Sequence, residues 1–246
     1  MAGHNKWSKV KHIKAKTDAV KGKAFSKAAR EITIAAKEGG GDPDMNAALR
    51  LALQKAKDVN MPKDNIKRAI DKGVGGGADA QLEEITYEGY APGGIAVLIR
   101  TLTDNKNRTV PNVRAALTKA GGQLANPGSV SYLFEKKGII IFDSESNSET
   151  IMNVAIESGA DDVDVQDDGY VEVVTQPDQF ESVVTAFNQE NIQYMDATVQ
   201  MVPQTRILLD VDKAKGFMKL IDKLEEDDDI QEVFHNADVP DEALEL

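Results

Sequence analysis

The sequence predicts an α+β protein in which a small N-terminal helical domain precedes two ferredoxin-like βαββαβ domains, one inserted in the other. Three observations predict it. Only helical periodicity occurs before residue 76, glycine runs at 39–41 and 75–77 punctuate that region, and strand and helix patterns alternate after residue 82. The predicted domains are residues 1–77, residues 78–135 together with 203–238, and the inserted residues 136–202.

The helical domain begins with an amphipathic helix predicted over residues 17–38. Its apolar residues recur at helical spacing on one side, and the opposite side carries Lys23, Lys27, Arg30 and Lys37. A second helix is predicted over 42–61 and a third from Pro62 to Gly73. The cations of the first helix therefore form a stripe on one face.

The remaining elements are assigned from alternating apolar runs and turn residues. Predicted strands are 85–87, 95–102, 129–134, 139–142, 163–165, 170–174, 197–202, 207–211 and 230–234, and predicted helices are 149–158, 178–189, 213–224 and one that Thr109 caps and that runs to Ala120. The last strand, helix and strand complete the domain that begins at residue 78. The segment from 139 to 202 is then a βαββαβ insertion.

Charge is strongly segregated along the chain. Residues 1–76 hold 17 Lys and Arg against 8 Asp and Glu, a net charge of +9, whereas residues 77–246 hold 12 against 33, a net charge of −21. A cationic end on an acidic chain of net charge −12 indicates a polyanionic partner at that end. A solvated basic face is the alternative interpretation.

The candidate nucleic-acid-binding residues lie in the basic segment and in one loop of the second domain. They are His4, Lys6, Trp7, Lys9, Lys11, His12, Lys14, Lys16, Lys21, Lys23, Lys27, Arg30, Lys106 and Arg108. Lysines neutralise phosphates as point charges, and cations beside a helix N-terminus suit a phosphate. For Lys106 and Arg108, a turn with solvated charges is the alternative.

Trp7 and the two histidines have two interpretations each. Trp7 can stack on a base, or it can anchor the segment on the helical domain. His4 and His12 can contact a phosphate or base, or they can simply be exposed. His235 is too distant in sequence to complete a metal pattern with them, so no metal ligand is assigned.

Other function classes find no support in the sequence. Cysteine is absent, which excludes thiol chemistry and disulfides and is typical of the cytoplasm. No catalytic motif, cofactor signature or apolar run of membrane-spanning length occurs. The acidic runs at 161–168 and 225–229 do not match a calcium loop. We expect both runs to be solvated and to repel nucleic acid.

The same residues resemble the YebC/PmpR family over nearly the whole chain. The matching segments are MAGHNKW at 1–7, KGKAF at 21–25, REI at 30–32, GGDP at 40–43 with Asn46, NMP at 60–62, RAIDKG at 68–73, YEGYAPGG at 87–94, TDNKNRT at 103–109, GSV at 128–130 and VFHN at 233–236. The sequence departs from the family pattern at Asn5, Ala48 and Ala91, and the loss of a basic residue at Ala48 weakens the cationic character of the second helix.

The resemblance implies a three-domain cytoplasmic protein with a cleft between domains and no catalytic residues. Members of the family are labelled probable transcriptional regulators that bind DNA, and others, including mitochondrial translational activators of cytochrome c oxidase, act as translation factors at the ribosome. The implied function is therefore a non-enzymatic nucleic-acid-binding regulator of gene expression. A ribosome-associated RNA-binding factor that eases elongation at proline-rich sequences is the alternative.

The expected partner is DNA or ribosomal RNA, with the ribosome or a protein as a further partner of the acidic domains. Base reading is expected to be weak, because few Asn, Gln or Arg side chains lie on the cationic stripe. Binding directed by charge and shape is therefore favoured. An enzyme that acts on a small ligand in the interdomain cleft is the least favoured hypothesis.

Overall fold

The computed structural model describes residues 18–75 and 82–243, with the side chains of these ranges from residue 22 onward except that of Asp241. The helical unit, residues 18–75, contains α1 (Asp18–Gly39), α2 (Ala47–Asp58) and α3 (Lys63–Val74). Ile32 and Ala36 of α1 pack against Leu49 of α2 and Ala69 of α3. The apolar stripe of α1 is therefore buried, which leaves its basic side for other contacts.

The second helix begins five residues later than the sequence predicts, because Asn46 caps it. The Asn46 carboxamide oxygen accepts from the Leu49 amide at 3.0 Å, and its nitrogen donates to the carbonyl oxygens of Ala35 and Gly40, both at 2.8 Å. Asn46 is buried, so one side chain both begins α2 and ties it to the end of α1.

The elements after residue 82 follow one another with short connections. They are β1 (Glu83–Ala91), β2 (Ile95–Thr103), α4 (Lys106–Lys119), β3 (Gln123–Leu124), β4 (Phe134–Phe142), α5 (Ser148–Ser158), β5 (Asp162–Val165), β6 (Val171–Thr175), α6 (Phe180–Gln189), β7 (Asp196–Pro203), β8 (Ile207–Leu208), α7 (Val211–Glu225), β9 (Ile230–His235) and β10 (Ala237–Asp238).

Two four-stranded sheets organise these elements. The outer unit, residues 82–133 and 204–243, holds the sheet of order β3-β1-β2-β9, and the inserted unit, residues 134–203, holds the sheet of order β5-β6-β4-β7. All pairs within both sheets are antiparallel. The inserted unit has the strand order of a ferredoxin-like domain, as the sequence predicts, and the α+β class is confirmed.

The outer unit departs from the predicted βαββαβ order. Its sheet opens with a β1–β2 hairpin before α4, and residues 207–208 pair only with β10, in a separate two-stranded sheet. The predicted strand at 129–134 is also wrong, because residues 131–133 form a 3₁₀ turn. The division of the chain into three domains at the predicted boundaries stays a prediction.

A buried carboxylate explains why residues 128–133 do not form a strand. Glu88 accepts hydrogen bonds from the backbone amides of Gly128, Val130 and Ser131 at 2.7, 2.6 and 3.0 Å. These amides are therefore turned toward one side chain and cannot pair with a neighbouring strand. Glu88 is 7% exposed and fixes the connection through which the chain enters the inserted unit.

Strand β2 is buried on both faces of the outer sheet. Ile95, Val97 and Ile99 face α4 and α7 in the largest hydrophobic cluster. Ala96 and Leu98 face the opposite way, where Phe134 and Met201 of the inserted unit cover them. The alternation of a β-strand therefore joins the outer sheet to a helical layer on one side and to the inserted unit on the other.

Replacing Gly138 with alanine is expected to lower the free energy of unfolding by about 2–3 kcal/mol, because the new methyl group overlaps neighbouring atoms in a closed core. A Cβ at Gly138 of β4 would meet Thr175 Oγ1 and lie 2.5 Å from Phe180 Cδ2. Gly216 on α7 is the matched control. It has open space around its Cβ position, so alanine there should be neutral or stabilising. Urea unfolding of both variants tests this, and equal midpoints would contradict it.

Candidate nucleic-acid interface

The structure describes only part of the predicted binding set. His4, Lys6, Trp7, Lys9, Lys11, His12, Lys14 and Lys16 lie outside the described residues. Lys21 lies on α1, but its side chain is outside the described part as well. The structure does describe the side chains of Lys23, Lys27 and Arg30 of α1, and of Lys106 and Arg108 at the start of α4.

The basic side of α1 faces the acidic run at 225–229, where α7 ends. Lys23 Nζ donates to the carbonyl oxygen of Glu226 and Lys27 Nζ to that of Glu225, each at 3.3 Å. The last carbonyl groups of a helix carry partial negative charge, which cations stabilise. The stripe predicted to meet phosphates thus lies against the C-terminal end of α7.

Asp229 is the centre of a buried polar cluster that joins the helical and outer units. Its carboxylate pairs with Arg30 at 2.7 Å and with Arg108 at 2.8 Å. It also accepts from the hydroxyl groups of Thr109 at 2.8 Å and Thr103 at 3.1 Å. Asp229 is 1% exposed. The prediction that the whole run 225–229 is solvated is therefore wrong at Asp229, because two arginines from separate units enclose it.

The surroundings of Asp229 keep it ionised. Burial would raise the pKa of this carboxyl, but hydrogen bonds from Arg30, Arg108 and Thr109 outweigh burial and hold the pKa below its usual value. The pKa of Arg108 is raised in turn, chiefly by its hydrogen bonds to Asp229 and Asp104. Both partners are charged at neutral pH, so the cluster is a fixed ionic junction.

We expect stability to fall steeply below about pH 4, where carboxyl groups become protonated in the unfolded chain. Both Asp229 and Glu88 have depressed pKa values in the folded chain. Their contribution is therefore complete above the unfolded pKa and disappears as the pH falls through the folded pKa. Urea unfolding between about pH 7 and pH 3 measures it. A Glu88→Gln variant should depend less on pH, and a slope equal to that of the parent would contradict this account.

Lys106 and Arg108 are predicted to lie in a loop before a helix. In the structure, both residues belong to that helix, α4. Thr109 is not its cap: α4 begins at Lys106, and Asn105 Oδ1 accepts from the Arg108 amide at 3.2 Å. Thr109 lies inside the helix, and its hydroxyl group donates to Asp229 at 2.8 Å. Proline is common in the first turn of a helix, so Pro111 favours a helix that begins near residue 110. In the structure, Pro111 instead lies in the second turn of α4. Lys106 is therefore the first helical residue, and it is exposed.

Lys106 borders a hollow of about 560 Å³ between α1 and the outer unit. Lys37 of α1 lines the other side and donates to the Leu82 carbonyl oxygen at 3.0 Å. The N-terminal end of a helix dipole is positive and repels a cation in the first turn. The dipole of α4 therefore does not stabilise the ammonium group of Lys106. The carboxylates of Glu83 and Asp104 line the same hollow, so it combines two cations with two anions.

A second ionic cluster was missed by the sequence analysis. Arg100 of β2 pairs with Glu31 of α1, Glu84 of β1 and, at 3.4 Å, with Glu232 of β9, which also pairs with Lys55 of α2. The sequence did hold one indication of this cluster, because Arg100 is the one charged residue in the apolar strand 95–103. This cluster lines a cleft of about 750 Å³ among the three units and attaches the helical unit to the outer sheet.

Within the described ranges, no helix is both long and apolar enough to cross a bilayer. In the same part of the chain, no group of histidine, cysteine, aspartate or glutamate side chains is arranged to hold a metal ion.

Comparison with known proteins identifies the family. One family model, described as the TACO1/YebC protein N-terminal domain, matches residues 5–76, and a second, described as the TACO1/YebC second and third domain, matches residues 82–237. The chain belongs to the TACO1/YebC family. The resemblance drawn from the sequence is thereby confirmed, and the two matches together include both the basic segment and the two sheets.

Relatives in the TACO1/YebC family match this chain over all or nearly all of its length. A protein of a Nitratiruptor species is 52% identical over 96% of this chain and 99% of its own, and one from Treponema denticola is 50% identical over 100% and 99%. Both are named "Probable transcriptional regulatory protein". The crystal structure of a conserved hypothetical protein from Aquifex aeolicus has a TM-score of 0.84 and 42% identity, and covers 92% of this chain and 93% of its own.

Proposed function

We propose that this chain regulates gene expression by binding the phosphate backbone of a nucleic acid, without catalysing a reaction. The segregation of charge carries the proposal: a net charge of +9 in residues 1–76 is joined to −21 in the remainder. Charge of this kind supplies affinity that depends on salt and little on base sequence. The absence of cysteine favours action in the cytoplasm.

The proposed phosphate-binding residues are the cations of the amino-terminal segment, residues 1–21, together with Lys23, Lys27 and Lys106. Lys23 and Lys27 would turn to a phosphate from the carbonyl oxygens of Glu226 and Glu225. Arg30 and Arg108 have a different role in this proposal, because both are paired with Asp229. A phosphate contact by Arg30 would require it to leave Asp229 and the Leu102 carbonyl oxygen. These two arginines hold the helical unit in place and thereby orient the basic segment.

Two targets compete, chromosomal DNA and ribosomal RNA. The names of the relatives favour a DNA-binding transcriptional regulator. One observation favours a ribosome-associated translation factor: the basic side of α1 lies against residues 225–229, so α1 is not free to enter a major groove as a recognition helix. Recognition of RNA by shape and charge requires no such helix.

Crosslinking in living cells followed by sequencing of the bound nucleic acid tests the proposal. Enrichment of ribosomal RNA, together with co-sedimentation with ribosomes that moderate salt abolishes, would support the translation factor. Enrichment of discrete chromosomal sites would support the transcriptional regulator. Recovery of neither nucleic acid above the level of a nonbinding control protein would refute the proposed function as a whole.

A further inference from the structure

The second and third units are acidic, yet their cations are concentrated on two adjacent helices. Of the 12 Lys and Arg after residue 76, eight lie on α4 and α7. They are Lys106, Arg108, Arg114, Lys119, Lys213, Lys215, Lys219 and Lys223. Helix α4 contains no acidic residue at all. Helix α7 contains three acidic residues, so the two helices together carry a net charge of +5, against −26 in the rest of residues 77–246.

A groove of about 800 Å³ runs between these helices. Its floor consists of small and apolar residues, and its lysines come from three helices. The floor residues are Ala115, Ala116, Ala120, Gly216, Leu220 and Leu224. The lysines are Lys119 of α4, Lys219 and Lys223 of α7, and Lys23 of α1. Glu226 and Asp227 also line the groove, and Glu226 pairs with Lys223 at 2.8 Å.

We infer that this groove binds the sugar-phosphate backbone of one strand of RNA. The inference rests on the proposed function and deepens it by naming a second contact surface. A groove of about 800 Å³ has room for a few nucleotides of one strand but is too small for a duplex. Lys119 of α4 and Lys219 of α7 match the charge of its phosphates, and the small floor residues leave room for the riboses.

Two further features point to the same occupant. Lys23 lines the groove and also belongs to the basic stripe of α1, so the groove continues the surface proposed above. At one end, the carboxylate of Asp227 accepts from Asn112 Nδ2 at 3.0 Å. Such acceptors repel phosphate but can accept a hydrogen bond from a ribose 2′-hydroxyl, which DNA lacks.

The groove is tested by removing its charge and by filling it. In one variant Lys119 and Lys219 are both replaced with glutamine. In the matched control the same change is made at Lys63 and Lys136, which are exposed and do not line the groove. In a third variant Gly216→Glu puts a carboxylate into the open space above the floor, and Gly216→Gln serves as its uncharged control. Glutamate and glutamine both favour a helix more than glycine does, so the two Gly216 variants should fold.

Binding is measured by fluorescence anisotropy with a labelled oligouridine of about 20 nucleotides. Loss of two contacts should weaken binding roughly 25-fold at about 0.1 M salt and reduce the slope of log affinity against log salt by about 1.4, because each contact on a single strand contributes about 0.7. The control pair should change affinity by no more than about twofold. Gly216→Glu should weaken binding more than Gly216→Gln.

The outcomes separate this inference from the proposed function. If the parent chain shows no salt-dependent binding to either oligouridine or duplex DNA, the proposed function fails. If it binds duplex DNA but not oligouridine, the groove inference alone fails. If the parent binds and the groove variant behaves as its control, the groove inference alone is overturned. Equal affinity for oligothymidine would overturn the assignment to RNA, and an equal loss on duplex DNA would overturn the assignment to one strand.

Discussion

Replacing Asp229 with alanine is expected to lower the free energy of unfolding by about 3 kcal/mol, the largest loss of stability that we predict for a single substitution. The substitution removes the buried carboxylate that Arg30 and Arg108 share and leaves two hydroxyl donors facing a void. The loss lies at the low end for a broken buried pair, because the side chain of Arg108 is 47% exposed and water can solvate it. Urea unfolding at neutral pH measures it.

Asp228 provides the matched control for Asp229. It is the adjacent residue of the same acidic run but is exposed, so alanine there should change the free energy of unfolding by less than about 0.5 kcal/mol. Asp229→Asn retains the shape but loses the charge, and should fall between the two. Similar unfolding midpoints for the alanine variants at 228 and 229 would show that the cluster is not a structural junction.

Removing charge from the amino-terminal segment is expected to have the largest effect on binding. Replacement of Lys9, Lys11 and Lys14 with glutamine should weaken binding to a single-stranded RNA by about 100-fold at about 0.1 M salt, since three contacts are lost. Filter binding or anisotropy measures the change. The free energy of unfolding of the described units should not change.

Replacement of Lys57, Lys63 and Lys67 with glutamine is the matched control for the triple variant at Lys9, Lys11 and Lys14. The control lysines are exposed, belong to the same cationic region and change the net charge by the same amount. Their replacement with glutamine should weaken binding by less than about fivefold, through the long-range field alone. An equal loss in both triple variants would indicate that total charge, and not the amino-terminal segment, determines affinity.

Local signals in the sequence predicted most of the fold. Helical periodicity located α1 together with its basic side, and the order of strands and helices from 139 to 202 predicted the ferredoxin-like insertion. Boundaries failed where a single side chain decides them. Asn46 caps α2 and Asn105 caps α4. Nearby residues such as Thr109 are equally plausible as the first residue of a helix when only the sequence is known.

Contacts between distant residues were beyond the reach of pattern analysis. Asp229 looks like any other member of an acidic run, and only the fold brings Arg30 and Arg108 to it from 199 and 121 residues away. Glu88 likewise meets the 128–131 amides across 40 residues or more, so an apolar-looking segment becomes a loop. The sequence therefore indicated which residues are charged, but not which charges are already paired within the protein.

The dependence of binding on salt tests most directly whether phosphate contacts provide the affinity. For six to ten contacts, the affinity of the parent chain for nucleic acid should fall by roughly 10³- to 10⁵-fold between about 50 and 200 mM salt, and replacement of Lys9, Lys11 and Lys14 should make that dependence shallower. A parent chain whose affinity stays constant across this range would contradict the account.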